Sequence, residues 1–126
     1  MTVNIPLDKL PKDPTERMNL FFKAVASELK IWLLVDEHGS VLLSAEDEDC
    51  VPVWPSQSHA EQWATEEWEG FKPEAISVAK WKSRWTPGLE EDELSVIVFP
   101  DQQGEGIVLY PDEFDVELRK RESKRR

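Results

Sequence analysis

The 126-residue chain has few of the residues on which disulfide-stapled and metal-binding proteins depend. Cys50 is its one cysteine, which excludes an internal disulfide and a cysteine-based zinc cage. Its two histidines, His38 and His59, stand far apart in the sequence. The acidic run at residues 46–49 lacks the alternating spacing and central glycine of a calcium loop. We therefore predict no metal site and no cofactor.

Long hydrophobic runs are also missing. The longest uninterrupted apolar run covers residues 31–35, far short of the roughly 18 residues of a membrane span. Proline, aspartate and lysine interrupt every apolar run near the N-terminus, so no export signal is predicted. With a lone thiol and no such signal, we expect a cytoplasmic protein that does not contact membranes.

Basic residues are scarce, with 15 against 26 acidic ones and a formal net charge of −11. This balance disfavours binding to nucleic acid or to anionic lipid. Residues 36–74 hold 11 acids and one base, and residues 90–117 hold ten acids and no base. Positive charge collects at 80–84 and in a basic tail at 119–126. We interpret that tail as a frayed helix end; the alternative is a segment that binds nucleic acid or an acidic partner.

Motifs of nucleophilic and phosphate-binding enzymes are lacking: the sequence holds no G-x-S-x-G, G-x-x-x-x-G-K-S or G-x-G-x-x-G. Four carboxylates precede Cys50 and should keep its thiol unreactive, and Ser56 and Ser58 are typical helix caps. One enzyme alternative stays open, in which carboxylates such as Asp92 and Glu90 act near Trp85 in a small hydrolase.

The apolar pattern predicts helices and strands in alternation. We expect helices at 14–29, from Ser58 to Gly70, from Ser77 to a stop at 86–88, and from Pro111 onward with Phe114, Val116 and Leu118 in contact. Strands are predicted at 31–36, 41–45, 50–54, 93–100 and 106–111, with Pro52 marking an edge or a bulge. These elements favour a single α+β domain over residues 1–126, in which a mainly antiparallel sheet of about five strands carries packed helices. Residues 1–12 form an irregular lead-in.

Tryptophan is abundant, with six in the chain. Helical spacing of Trp63, Trp68, Trp81 and Trp85 is typical of packing residues. Trp is nevertheless too large to be fully buried often, so we expect one or two indoles to line a recognition groove. The predicted surface combines Trp54, Pro55 and Ser56 at a strand-to-helix corner with Trp85, Pro87 and Asp92 on the neighbouring loop. Lys82 and Arg84 are candidates for stacking on these rings.

Several motifs together resemble a known family. They are W-x-L-x-D-x-x-G from Trp32, P-V-W-P-S from Pro52, W-x-P-G-L-x-x-D from Trp85, then V-F-P and P-x-E-F. In this order they are similar to a family of small bacterial proteins classed as a domain of unknown function, over about residues 15–118. The segment 51–64 also resembles the corner of the SseB-type bacterial domain. These resemblances imply a bacterial, intracellular α+β protein and supply no catalytic residue.

The absence of catalytic spacing and the surplus of aromatic residues favour a non-enzymatic interaction or regulatory module that binds another protein. The small carboxylate-dependent hydrolase is one alternative. An acidic mimic that binds a basic protein is the other. A homodimer through edge strands is compatible with the pattern.

Overall fold

The computed structural model describes residues 9–45, 47–65 and 68–124. Residues 1–8 of the predicted lead-in and 125–126 of the basic tail lie outside the described residues. The helices are α1 (Pro14–Glu28), α2 (Gln57–Trp63), α3 (Val78–Lys80), α4 (Thr86–Glu91) and α5 (Pro111–Lys124), and a π-helical segment, Trp81–Trp85, joins α3 to α4. The strands are β1 (Lys30–Asp36), β2 (Gly39–Ser40), β3 (Leu43–Ala45), β4 (Glu48–Val53), β5 (Lys72–Ser77), β6 (Ser95–Val98) and β7 (Ile107–Leu109).

Helix α1 begins and ends as its sequence predicts. The Asp13 carboxylate accepts a hydrogen bond from the Thr15 backbone N–H at 2.9 Å, and Pro14 occupies the first turn. Leu29 ends the helix in the left-handed conformation at φ 59°. The inward face of α1 buries Phe21 and Phe22, which pack on Phe114 of α5 at ring-centroid distances of 5.8 and 5.2 Å.

The strands form two sheets, ordered β2-β1-β5 and β3-β4-β6-β7, and the α+β prediction is confirmed. All pairs are antiparallel except β4 with β6. Trp32 and Trp54 join the sheets through two backbone hydrogen bonds of 3.0 and 2.9 Å. The strand count exceeds the expected five for two reasons. Residues 39–40, just before the predicted strand 41–45, form the additional strand β2, and β5 was not predicted.

The edge position predicted for Pro52 is wrong, because β4 lies between β3 and β6. Val53 accepts a hydrogen bond from Phe99, so the backbone groups of Val53 face β6 and those of Pro52 face the opposite side. On the side of β4 away from β6, the pairing with β3 ends at Leu43 and Cys50. Further along the chain, the next backbone hydrogen bonds on this side join Trp54 to Trp32. The missing N–H of Pro52 therefore falls in a gap of the ladder.

Two predicted helix bounds also differ from the structure. Ser56, and not Ser58, caps α2 by accepting from the His59 N–H at 3.1 Å, and α2 ends at Trp63. The helical run that begins after Ser77 continues through residues 86–88 to Glu91. Val116, predicted to pack inward, is 41% exposed, while Phe114 and Leu118 of the same helix are buried.

Arg17 is a buried cation that ties α1 to the loop before β7. Its guanidinium donates to the carbonyls of Phe99 at 3.1 Å and Glu105 at 2.8 Å, and to those of Pro11 and Lys12 in the lead-in. The side chain is 1% exposed. Backbone carbonyls replace the water that a buried charge would otherwise need.

Candidate functional site

Residues 78–91 form one continuous helical run, here called the Trp helix. Ser77 caps it by accepting from the Lys80 N–H at 3.1 Å. In its centre the Thr86 N–H bonds the Trp81 carbonyl, five residues back, instead of the residue four back. Pro87 explains the change, because its ring would clash with the carbonyl of residue 83 in a regular α-helix. The wider π turn lets the helix pass the proline, and such turns are frequent at functional sites.

The π turn places Trp85 flat against Trp81. Their ring centroids are 5.5 Å apart and their planes differ by 2°. Trp81 is fully buried and packs on Phe114 at 5.1 Å, so its position is fixed by the core. Trp85 is half-buried. One face of the outer indole is therefore held by a rigid support, and its remaining surface is pre-organised for contact.

A cleft of about 330 Å³ opens beside this indole, between the Trp helix and the sheets; we call it the Trp85 cleft. Its apolar wall consists of Val51, Leu89 and Leu94, together with Gly88 and the indole. Its polar groups are Ser40, Lys80, Arg84 and Asp92. The volume is at the low end of ligand pockets and suits one or two anchoring side chains.

A comparison with protein families places the chain. The model of a family described as a protein of unknown function, DUF2750, matches residues 18–118. The chain belongs to the DUF2750 family. The match covers the Trp helix, the Trp85 cleft and the strand-to-helix corner. No curated protein matches the chain.

In the structure of this DUF2750 chain, Trp85 and Asp92 both line the Trp85 cleft. Pro87 lies between them in sequence and is exposed, but it does not line the cleft. Its contribution is to impose the π turn. The predicted loop around Pro87 is thus helical.

The other half of the predicted surface, the corner at residues 54–56, faces the interior. Trp54 is 0% exposed, and Pro55 and Ser56 are also buried. Two backbone hydrogen bonds fix Trp54 to Trp32, and its ring packs on Trp63 at 5.2 Å. Ser56 Oγ lies 2.6 Å from His59 Nδ1 besides capping α2. The expectation that this corner presents an exposed groove is wrong, because sheet pairing and capping turn all three side chains inward.

Burial of the six indoles is graded rather than uniform. Three are buried, namely Trp54, Trp63 and Trp81. Three are half-buried, namely Trp32, Trp68 and Trp85. The Nε1 atoms of Trp54 and Trp81 have no hydrogen-bond partner in the part of the chain that the structure describes. The surplus of indole is therefore absorbed mostly by packing, and Trp85 is the half-buried one that lines the cleft.

Sequence reasoning did not include Lys80 in the site, and it considered Arg84 only as a stacking partner of the rings. Its proposal for Arg84 was stacking, yet the cation–π contact seen among the described residues is that of Arg121 over Phe22 at 5.8 Å. The signal that identifies the pair is local charge. Three of the four bases between residues 36 and 117 lie within residues 80–84.

A carboxyl group with a shifted pKa, that of Asp115, lies against the side of the Trp helix that faces α5. Asp115 of α5 accepts a hydrogen bond from Thr86 Oγ1 at 2.9 Å. Burial raises the pKa of Asp115 above its usual value, and the Thr86 hydrogen bond and the charges of Lys82 and Arg119 oppose the increase. Lys82 is therefore directed toward α5 electrostatically, and Lys80 and Arg84 remain at the cleft.

The arrangement does not supply the chemistry of a two-carboxylate hydrolase. Asp92 is the single carboxylate among the residues that line the Trp85 cleft, whereas that mechanism needs two at roughly 5–10 Å. Glu90, its proposed partner, is exposed and outside the cleft. Over the described ranges no three His, Cys, Asp or Glu side chains cluster to hold a metal ion. In the same ranges, no helix combines the length and apolarity needed to cross a bilayer.

Proposed function

We propose that this protein is a non-enzymatic binding module of the bacterial cytoplasm, whose recognition surface is the Trp85 cleft. The observation that carries the proposal is the half-buried Trp85, which lines the cleft and stacks at an interplanar angle of 2° on the fully buried Trp81. Rigid aromatic anchors beside a small pocket dominate binding energies at protein interfaces. The buried, lone thiol of Cys50 suits a reducing compartment.

A second feature supports binding over catalysis. The cleft combines apolar area with three charged groups, namely two cations on the Trp helix and the carboxylate of Asp92, which caps its C-terminal end. This set can orient a partner and offers no nucleophile paired with a base. The groups are those of a polar rim around an aromatic anchor.

Gly88 provides a test that leaves the fold intact. It lines the cleft, and a Cβ at this position would meet nothing within 4 Å. We expect Gly88→Gln to fill the cleft while leaving the free energy of unfolding equal or higher, because glycine is a poor helix former. Gly70→Gln is the matched control, since Gly70 also has open space and lies outside the cleft.

The measurement is affinity capture from lysate of the native host, quantified by mass spectrometry, followed by titration of each purified partner. A partner held by the parent and by Gly70→Gln, and bound at least about tenfold more weakly by Gly88→Gln, supports the proposal. Identical binding by the parent and Gly88→Gln would reject the Trp85 cleft as the recognition surface.

A further inference from the structure

We infer that the Trp85 cleft recognises an acidic segment of a partner protein, in which a carboxylate side chain stands next to an apolar one. The inference rests on the proposed function and names the chemistry of the partner. Its basis is the placement of Lys80 and Arg84 in the cleft wall of a chain with net charge −11.

The two cations have no acidic partner within the described residues. Other bases do: Lys120 and Arg121 lie 3.7 and 3.8 Å from the Glu117 carboxylate. Several other bases, such as Lys23 and Lys30, also lack an ion pair among the described residues; what distinguishes Lys80 and Arg84 is that both line one apolar cleft in a chain with 26 acids. A ligand carboxylate would supply the missing partner, and arginine is the side chain best shaped to bind one.

The positive and negative groups of the cleft lie at different positions along it. Lys80 and Arg84 lie at one end, and Asp92 lies eight residues beyond Arg84, roughly 12 Å along the helical run. Asp92 repels a carboxylate at its own end, so the acidic side chain belongs at the Lys80 end. The apolar side chains of Val51, Leu89 and Leu94 line the same cleft. An extended segment spans that interval with about four residues.

Charge also selects between classes of occupant. A nucleic acid would bring many phosphates against residues 36–74 and 90–117, which carry 21 acids and one base. A single acidic side chain set in an apolar segment meets the cations locally and avoids most of that repulsion, because the Debye length is about 8 Å at physiological salt.

The probe is the tetrapeptide acetyl-Glu-Leu-Thr-Gly-amide, with Gln and Lys versions as matched controls. The net charge of the protein predicts that the Lys peptide binds best, whereas the Trp85 cleft predicts that the Glu peptide does. Binding is followed on the full chain by the ¹H–¹⁵N signal of the Trp85 indole, assigned with Trp85→Phe. We expect a dissociation constant on the order of 1 mM for the Glu peptide and about tenfold weaker binding of the Gln peptide.

Two double variants separate local from overall charge. The Lys80→Gln, Arg84→Gln double variant should bind the Glu peptide about tenfold more weakly. The Lys12→Gln, Lys23→Gln double variant makes the same change in net charge at exposed positions in and just before α1, and it should bind the Glu peptide as the parent does. Preference for the Gln or Lys peptide, or equal loss in both double variants, overturns the inference. Tighter binding of an oligothymidylate at the same indole also overturns it, as does self-association abolished by the Lys80 and Arg84 changes.

The outcomes also distinguish this inference from the proposed function. If Gly88→Gln abolishes partner binding while the Lys80 and Arg84 double variant retains it, the cleft binds its partner without the cations and only the inference fails. If neither change affects partner binding, both fail.

Discussion

Two series of aromatic rings run from the core to the surface of this protein. One starts at Trp54 and passes through Trp63 and Trp68 to Phe71, with centroid distances of 5.2, 5.8 and 5.7 Å. Phe71 lines a second cleft of about 420 Å³ together with Glu61, Glu69 and Lys72. The buried part of this series is tied down by hydrogen bonds, such as that of Trp63 Nε1 to the Asp101 carbonyl at 2.7 Å. Its surroundings share the acidic character of the whole chain.

The other series starts at Phe114 and passes through Trp81 to Trp85. It ends at the Trp85 cleft, which two cations, Lys80 and Arg84, also line, in a chain of net charge −11. An acidic environment is the default here, whereas three bases in five residues are a local exception. The difference teaches that indole content alone does not locate a site; the residues around the outermost ring do.

The largest expected effect contrasts the inner rings with the outer one. Trp54→Ala should lower the free energy of unfolding by about 3–5 kcal/mol, because it removes a fully buried indole. Trp85→Ala should cost about 1–2 kcal/mol, since part of its surface is already in water. Urea unfolding monitored by circular dichroism measures both. Equal losses would remove the distinction between a structural corner and a recognition surface.

Trp54→Phe is the control for this pair. It keeps a buried ring and removes an Nε1 that has no hydrogen-bond partner among the described residues. The smaller ring leaves a cavity, but the unpaired donor no longer carries its desolvation cost. We therefore expect Trp54→Phe to be much less damaging than Trp54→Ala.

A second, smaller effect tests how the corner is fixed. Ser56→Ala removes the cap of α2 and the 2.6 Å hydrogen bond to His59 Nδ1, a buried side chain. Loss of a cap costs about 1 kcal/mol, and disruption of the buried hydrogen bond should bring the total to about 2 kcal/mol. Ser58→Ala, at an exposed position of the same helix, is the matched control and should be nearly neutral. A similar loss in both variants would contradict the assignment of Ser56 as the cap.

Local sequence predicted much of this fold because the responsible signals are local. Asp13 and Pro14 predicted the start of α1, Ser77 the start of the Trp helix, and Pro111 the start of α5. Strand β5 was missed, since its burial pattern alternates poorly and it is defined by its pairing with β1. Whether Trp54 faces inward depends on its bridge to Trp32, which lies 22 residues away.

Only part of the candidate site could be predicted from the sequence, again because local patterns do not contain long-range contacts. Trp85 and Asp92 lie seven residues apart, so two turns of helix bring them to one side once the chain is helical. The sequence pattern placed a stop at Pro87, because a proline usually ends a helix. In the structure the helix passes Pro87 through the π turn, and Trp81 in that turn packs on Phe114, a contact between distant segments. Long-range packing is what a local pattern does not contain.

The third prediction concerns the effect on stability of Gly88, which lines the cleft beside Trp85. Gly88→Ala should raise the free energy of unfolding by about 0.5–1 kcal/mol, because alanine loses less backbone entropy in a helix and its Cβ meets no atom within 4 Å. Thermal and urea unfolding measure the gain. Gly106→Ala is the contrasting control: a Cβ there would lie 2.9 Å from the Val98 carbonyl oxygen, so this change should destabilise the protein. A loss of stability in Gly88→Ala would show that the cleft side of α4 is more tightly packed than described.

The smallest expected effect lies on the inward side of the Trp helix and depends on pH. Burial raises the pKa of Asp115 in the folded state, so its protonated form is favoured there relative to the unfolded chain. The stability associated with this group is fully present below its unfolded pKa of about 4, and it is lost as pH rises through the higher folded pKa. Asp115→Asn cannot ionise and can still accept from Thr86 through its amide oxygen. The stability of Asp115→Asn relative to the parent should therefore increase as pH rises from below about 4 through the folded pKa of Asp115, and then stay constant.

Urea unfolding of both proteins across that range measures the difference, so the many other carboxylates cancel. Asp112→Asn is the control, because Asp112 is exposed on the same helix and lies near Asp115. An opposite trend, in which Asp115→Asn loses stability relative to the parent as pH rises, would mean that Lys82 and Arg119 outweigh burial. Lys82 would then be bound firmly to α5, and the separation of the Trp helix into a structural side and a ligand side would become sharper.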